Sequence, residues 1–263
     1  MTELVRTDVT DETATITLDN PDARNALSVE LATQLIDAVA EVENTDARCL
    51  VVEGAGGYFC AGGDIKAMVE GVSADVDIDE RVDRFGLPIN HAVQAVYECP
   101  LPTIAKVDGP AFGAGGALAI ACDVVLASER ARISFGFRQV GLSVDSGTSY
   151  LLPRQVGENV AKELVYTGEL VDSDRANRLG LFNHVYPDDE FQERAQELVD
   201  TVATGPTVAL EESKRLIEAG PSRTFAEAVD AEADALRTTL ATADHAEGAQ
   251  SFVEQRDPEF EGQ

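Results

Sequence analysis

Two glycine-rich segments each follow an apolar, strand-like run and open a helix-like one, and no other feature restricts the fold of this chain as much. The first is Gly56-Gly57-Tyr58-Phe59-Cys60-Ala61-Gly62-Gly63-Asp64, after the run Cys49 to Glu53. The second is Gly109-Pro110-Ala111-Phe112-Gly113-Ala114-Gly115-Gly116, after Thr103 to Val107. A strand-to-helix turn aims the unpaired N–H groups of the helix start, with its positive end, at whatever sits there. Glycine also lets a ligand approach the backbone closely. Neither segment reads G-x-G-x-x-G, because Gly54-x-Gly56 is followed by Phe59 and Gly113-x-Gly115 by Leu118. No G-K-[ST] occurs either, so dinucleotide and P-loop phosphate sites are excluded. One such turn can be a tight connection and nothing more. Two of them, about fifty residues apart, supply backbone donors that can converge on one oxygen, the arrangement of an oxyanion hole.

The rest of the chain fits an α/β frame. Asp8 to Asp19 alternates apolar and polar residues and predicts an early hairpin, with Asn20-Pro21-Asp22 as the turn that follows. Ser28 can cap a helix carried by Leu31, Leu35, Val39 and Val42. A second helix starts after Asp64, and the acidic stretch Ser73 to Asp83 reads as a mobile loop. Gly115 to Cys122 reads as a small-residue helix and Asp123 to Ala127 as a buried strand. Gly168 ends one helix, and Ser173 caps the next, which Gly180 closes. From Asp188 the pattern is helical, with Phe191, Ala195, Leu198 and Val202 on one face and further helices opening at Pro206 and Pro221. Strands and helices thus alternate to about residue 187 and helices follow alone, which divides the chain into a core over residues 1–195 and a helical region over 196–263.

Composition removes several classes of function. No apolar run approaches the roughly 20 residues that span a bilayer, and Met1 to Arg6 shows no signal-peptide pattern. Four scattered cysteines without a C-x-x-C pair, and the absence of a leader pattern, predict a cytoplasmic protein with reduced thiols. Three separated histidines without H-E-x-x-H predict no metal site, and Ser146 and Ser149 lack a G-x-S-x-G elbow. Twenty Lys+Arg against 48 Asp+Glu, a net charge of −28, leaves little basic material for nucleic acid or anionic membranes. The acids are dispersed rather than blocked, which points to a halophilic protein, since at molar salt the Debye length is only about 3 Å and self-repulsion is screened.

The sequence resembles the crotonase (enoyl-CoA hydratase/isomerase) superfamily over nearly its whole length. The matching pieces are Asn20-Pro21-Asp22-Ala23-Arg24-Asn25-Ala26-Leu27, Phe59 through Lys66, and Pro102-Thr103-Ile104-Ala105-Lys106-Val107-Asp108-Gly109. Gly141-Leu142 through Gly147, Leu152-Pro153-Arg154, Thr167-Gly168, Gly180-Leu181, Glu247-Gly248, Phe252 and Arg256-Asp257-Pro258 continue in register. The resemblance implies a spiral of β-β-α units with C-terminal helices that form a homotrimer or homohexamer. It also implies an acyl-CoA substrate in fatty-acid or related metabolism, and no cofactor, the CoA being part of the substrate. By matching positions, the N–H groups of Gly63 and Ala114 take the thioester oxygen. Arg24, Ala61, Gly62, Asp64, Ile65, Lys66, Gly115, Phe137 and Leu142 line the acyl-CoA site. Arg24 and Lys66 also make chemical sense as local cations for CoA phosphates in so acidic a chain.

The resemblance then separates reactions. The family's hydratases use two glutamates, one to activate water and one to manage the α-proton. Their positions correspond here to Ala117 and Phe137. Asp145 matches the aspartate of some enoyl- and dienoyl-CoA isomerases, and also the nucleophile of benzoyl-CoA dehalogenases. Double-bond isomerisation needs a single base, so Asp145 is read as the proton shuttle, its pKa raised by desolvation beside Phe137 and Leu142. Hydration by Asp145 alone, an Asp145-nucleophile dehalogenase or thioesterase, and a non-catalytic acyl-CoA binder are the alternatives. His91 is a further candidate base on a helix near the acyl pocket, and a capping role is the other reading of Asp145.

Overall fold

The computed structural model describes residues 2–74 and 76–263. Met1 and Asp75, at the start of the signal-peptide reading and inside the loop reading, lie outside the described residues. The chain opens with the expected hairpin, β1 (Val5–Thr10) antiparallel to β2 (Thr13–Leu18). Helix α1 (Val29–Val42) follows, its Ser28 hydroxyl accepting the Leu31 N–H, and β3 (Cys49–Gly54) leads to α2 (Ile65–Ser73), capped by Asp64. The stretch read as a loop contains a short helix, α3 (Ile78–Arg81), and a wide turn, Val82–Gly86. Asp77 caps α3, with acids in its first turn to suit the positive end.

Helix α4 (Leu87–Glu98), β4 (Thr103–Val107), the short strand β5 (Pro110–Phe112), α5 (Ala114–Ala121) and β6 (Val124–Ser128) form the centre. Then come β7 (Arg132–Ser134), α6 (Thr148–Val156), α7 (Glu158–Thr167), β8 (Val171–Asp172), α8 (Ser173–Leu179) and β9 (His184–Tyr186). The cap of α8 is Asp172 rather than Ser173, one residue earlier than the sequence suggests.

The main sheet has the order β1-β2-β3-β4-β6-β9, parallel from β2 onward, and β5-β7-β8 form a second small sheet. Parallel strands buried on both faces read as apolar runs, as Cys49 to Val52 of β3 does, whereas in β4 the buried Lys106 breaks the run and pairs with Glu53 of β3 at 3.4 Å. Successive residues of β3 point to opposite faces: Leu50 and Val52 enter the main core, whereas Cys49 and Val51 pack under α9 (Phe191–Ala203) with Phe191, Ala195 and Val199. The 195/196 division read from sequence therefore falls inside one continuous helix that covers the sheet.

Helices α10 (Thr207–Ala219), α11 (Phe225–Thr239) and α12 (Ala243–Glu254) complete the helical region. Pro206 is the N-cap of α10 rather than its first residue, and Pro221 lies in a 3-10 turn; α11 starts on the capping box of Thr224 and Glu227. Buried charges fasten this region to the core. Lys214 pairs with Asp123 at 2.9 Å, and Arg48 donates to Thr207 Oγ1 at 2.8 Å and to the Phe260 carbonyl at 3.1 Å. Large apolar side chains nevertheless stay exposed on it, among them Ile217, Phe225, Phe252 and Val253. Among the described residues no helix is long and apolar enough to cross a membrane.

Candidate active site

The two glycine-rich turns lie against each other. Phe59 and Cys60 donate to the Pro110 carbonyl at 3.1 and 3.3 Å, and Phe112 donates back to Cys60 at 2.8 Å. The contact is close enough to require glycine. A β-carbon on Gly115 would fall 2.2 Å from the Cys60 carbonyl oxygen. One on Gly62, at φ 83°, would fall 2.5 Å from the Phe112 oxygen and 3.4 Å from the Ala114 nitrogen. Gly63, the next residue, and Ala114 are thereby brought side by side, and neither N–H has a hydrogen-bond acceptor among the described residues. Ala114 is the first residue of α5, a wholly buried helix, so its N–H is an orphan donor at a positive helix end. Two unpaired N–H groups on adjoining rigid turns are what an anion or a developing oxyanion needs.

A third segment closes this side. Leu27 donates to Gly62 at 2.7 Å and Ala61 to the Arg24 carbonyl at 3.0 Å, which sets Arg24 beside the first turn with its guanidinium 5.4 Å from the Tyr58 ring centre. Asn25, fully buried at φ 55°, organises the join. Its side chain accepts the Asn20 N–H at 2.9 Å and donates to the carbonyls of Ala55 at 2.9 Å and Tyr58 at 2.8 Å. Sequence reasoning quoted Asn25 without giving it a role. The available signal was an asparagine, tolerant of the left-handed region, directly behind a Pro-Asp turn. Asp64 is a cap, accepting the Lys66 and Ala67 N–H groups; Ile65 and Lys66 are exposed at the start of α2.

Helix α4 joins the donors to the carboxylate. Ile89 Cδ1 lies 3.8 Å from where a β-carbon on Gly63 would be, and Met68 Cε lies 2.7 Å from it. The neighbouring residue, Asn90, accepts the Ser146 N–H at 3.0 Å, and Ser146 follows Asp145 directly. Ser146 Oγ donates to Asp145 Oδ1 at 2.9 Å. Burial pushes the Asp145 carboxyl above its ordinary value, and the Ser146 hydroxyl partly offsets this. Asp145 does not cap α6 with its side chain: Gly147 is the N-cap, and only the Asp145 backbone oxygen receives the Thr148 N–H.

The two hydratase positions hold no acid. Ala117 is fully buried in α5, and Phe137 is buried with its ring 4.0 Å from where a β-carbon on Gly113 would be. Leu142 is 46% exposed, and its N–H donates to the Phe137 carbonyl at 3.1 Å. His91 is exposed on α4, one residue past Asn90, and His184 stacks on Tyr186. Among the described residues no cluster of His, Cys, Asp and Glu could hold a metal ion.

Residues 9–263 match the family model described as enoyl-CoA hydratase/isomerase. A probable enoyl-CoA hydratase of Rhodobacter capsulatus is 34% identical, with 98% of each chain covered. The 1,2-epoxyphenylacetyl-CoA isomerase of Escherichia coli is 33% identical over the full length of both chains. The crystal structure of an enoyl-CoA hydratase from Bacillus anthracis superposes with a TM-score of 0.91 at 28% identity, covering 99% of this chain and 100% of that one.

Proposed function

The chain belongs to the enoyl-CoA hydratase/isomerase family and has its crotonase fold, and from that premise we propose that it is an enoyl-CoA double-bond isomerase. The observation that carries this reading is that buried Ala117 and Phe137 stand at the hydratase positions, while the Asp145 carboxylate is linked through Ser146 and Asn90 to α4, whose Ile89 lies at the first donor turn. Hydration requires one group to activate water and one to manage the α-proton; moving a double bond requires a single group that takes a proton and returns it elsewhere. A 3-enoyl thioester loses a proton from C2 to Asp145, so that an O–H bond forms as the C–H bond breaks. The electron pair spreads into the thioester carbonyl, whose oxygen is held by the Gly63 and Ala114 N–H groups. Return of the same proton to C4 leaves the conjugated 2-enoyl thioester. A base with a raised pKa suits this cycle, because it must hold the proton as well as remove it.

The isomerase named among the relatives supports this reading, and the named hydratase supports its nearest rival. Arg24 and Lys66, both at the first donor turn, are the local cations for the phosphates of the CoA. The exposed apolar residues of α10, α11 and α12 are the surface through which copies assemble as a trimer or hexamer. Four buried free thiols fit a reducing cytoplasm, and the charge of −28 fits a high-salt one. Turnover of paired 3-enoyl-CoA and 2-enoyl-CoA substrates in molar potassium chloride, by wild type and Asp145→Asn, tests the proposal. Conversion of the 3-enoyl to the 2-enoyl form, lost in the variant, is the expected result. Hydration of 2-enoyl-CoA instead assigns the hydratase reading.

A further inference from the structure

Asp145 does not stand alone, and its neighbours are arranged in an order that proton transfer requires. Ser146 is buried and held at φ 51°, in the left-handed region that non-glycine residues enter only at an energetic cost. What holds it there is Asn90 of α4, which accepts the Ser146 N–H at 3.0 Å. Because a backbone N–H can only donate, the Asn90 atom facing it is the amide oxygen and not the nitrogen. The Ser146 hydroxyl has one proton and two acceptors within reach, Asp145 Oδ1 at 2.9 Å and Asn90 Oδ1 at 3.3 Å. It cannot serve both at once. A charged Asp145 claims it; a protonated Asp145 no longer needs it.

We propose that Asn90 and Ser146 are positioning residues for the proton carrier: Asn90 fixes Ser146 in its left-handed conformation, and the Ser146 hydroxyl turns between Asp145 Oδ1 and Asn90 Oδ1 as Asp145 releases and takes up its proton. This rests on Asp145 being the proton carrier. The turn keeps the hydroxyl hydrogen-bonded in both states of the cycle, so neither state is left with a buried unpaired donor. Among the described residues no charged side chain bonds to or pairs with Asp145, and on the turn packed against α4 Arg84 faces Glu80 at 3.9 Å. On α4, His91 is exposed, Glu98 accepts from Gln94, and Tyr97 lies against Tyr150. On the Phe137–Val140 turn Arg138 is spent on the Thr167 carbonyl, and on α6 Arg154 lies over the Tyr150 ring.

The test uses Ser146→Gly, which removes the hydroxyl while suiting the left-handed backbone, together with Asn90→Leu and the double variant. Two readouts serve: carboxyl carbon-13 titration of Asp145, assigned by its loss in Asp145→Asn, and the pH profile of kcat on 3-enoyl-CoA. In Ser146→Gly the Asp145 pKa and the acid limb both rise by about one unit, and kcat falls about ten-fold, as expected for loss of a bond to a charged group. The double variant is no worse than the poorer single, because the pair acts as a unit. Wild-type titration and acid limb in Ser146→Gly overturn the inference alone. Wild-type turnover by Asp145→Asn overturns the proton-carrier reading and the inference with it.

Discussion

The donor half of the site and the carboxylate half are built on different principles. Gly63 and Ala114 present main-chain N–H groups, fixed by turns so closely apposed that added β-carbons on Gly62 and Gly115 would collide with carbonyl oxygens. Asp145 presents a side chain bonded to Ser146, which is held in turn by Asn90 from 56 residues before Ser146 in the chain. The first half is rigid and takes no protonation state. The second is adjustable, and its chemistry depends on burial and one hydroxyl. In the proposed isomerisation an enolate has to be held steadily while a proton moves, and that reading divides the work between the two halves.

The comparison breaks most decisively at Asp145. Asp145→Asn lowers isomerase kcat by about 10²–10⁴-fold, the worth of a positioned general base, while binding of a non-reactive acyl-CoA measured by calorimetry stays at the wild-type level. Ala114→Pro attacks the other half. Proline is tolerated at a first helical position and lacks the N–H, so folding persists by circular dichroism and kcat falls about 10²–10³-fold.

These two variants also mark what was legible. The donor half is written in glycine, which has a stereochemical meaning that survives in one sequence, and so do Ser28 and Asp64, which cap the helices expected of them. The carboxylate half is not. Gly86, Pro88 and the period Ile89, Ala92, Val93, Val96 mark α4 as a helix, but nothing in that pattern singles out Asn90, whose partner is reached only through tertiary packing. The Ser73–Asp83 reading failed for another reason: its acids look like solvated loop residues, although Asp77 followed by Asp79 and Glu80 is also the charge pattern of a helix start. At α11 the proline at 221 drew the helix start away from the Thr224–Glu227 capping box, the stronger signal.

A subtler effect separates the halves by pH. Burial holds the Asp145 carboxyl above its ordinary value, so the folded state binds its proton more tightly than the unfolded state. Below the ordinary carboxylate pKa both states are protonated and Asp145→Asn matches wild type in stability. As pH rises through the ordinary and then the folded value, wild type loses stability relative to the variant. Thermal melts therefore show Asp145→Asn with the higher Tm near pH 7, and the gap closing near pH 3. The smallest expected change is at Lys66. Lys66→Ala raises KM for acyl-CoA by about two- to five-fold with kcat unchanged, and the effect shrinks from low salt to molar salt in steady-state assays.

The ownership of the donor at Ala114 has a consequence for descent. A side-chain catalyst is erased by any substitution that removes its functional group, but the N–H of Ala114 is present in every residue except proline, so an alanine scan would miss that donor and register this half of the site only through the glycines packed around it. Lineages that keep these turns are free to discard, relocate or replace their carboxylates while the thioester stays anchored. A copy that has lost all proton chemistry would remain a thioester receptor, open to being recruited again for a new reaction.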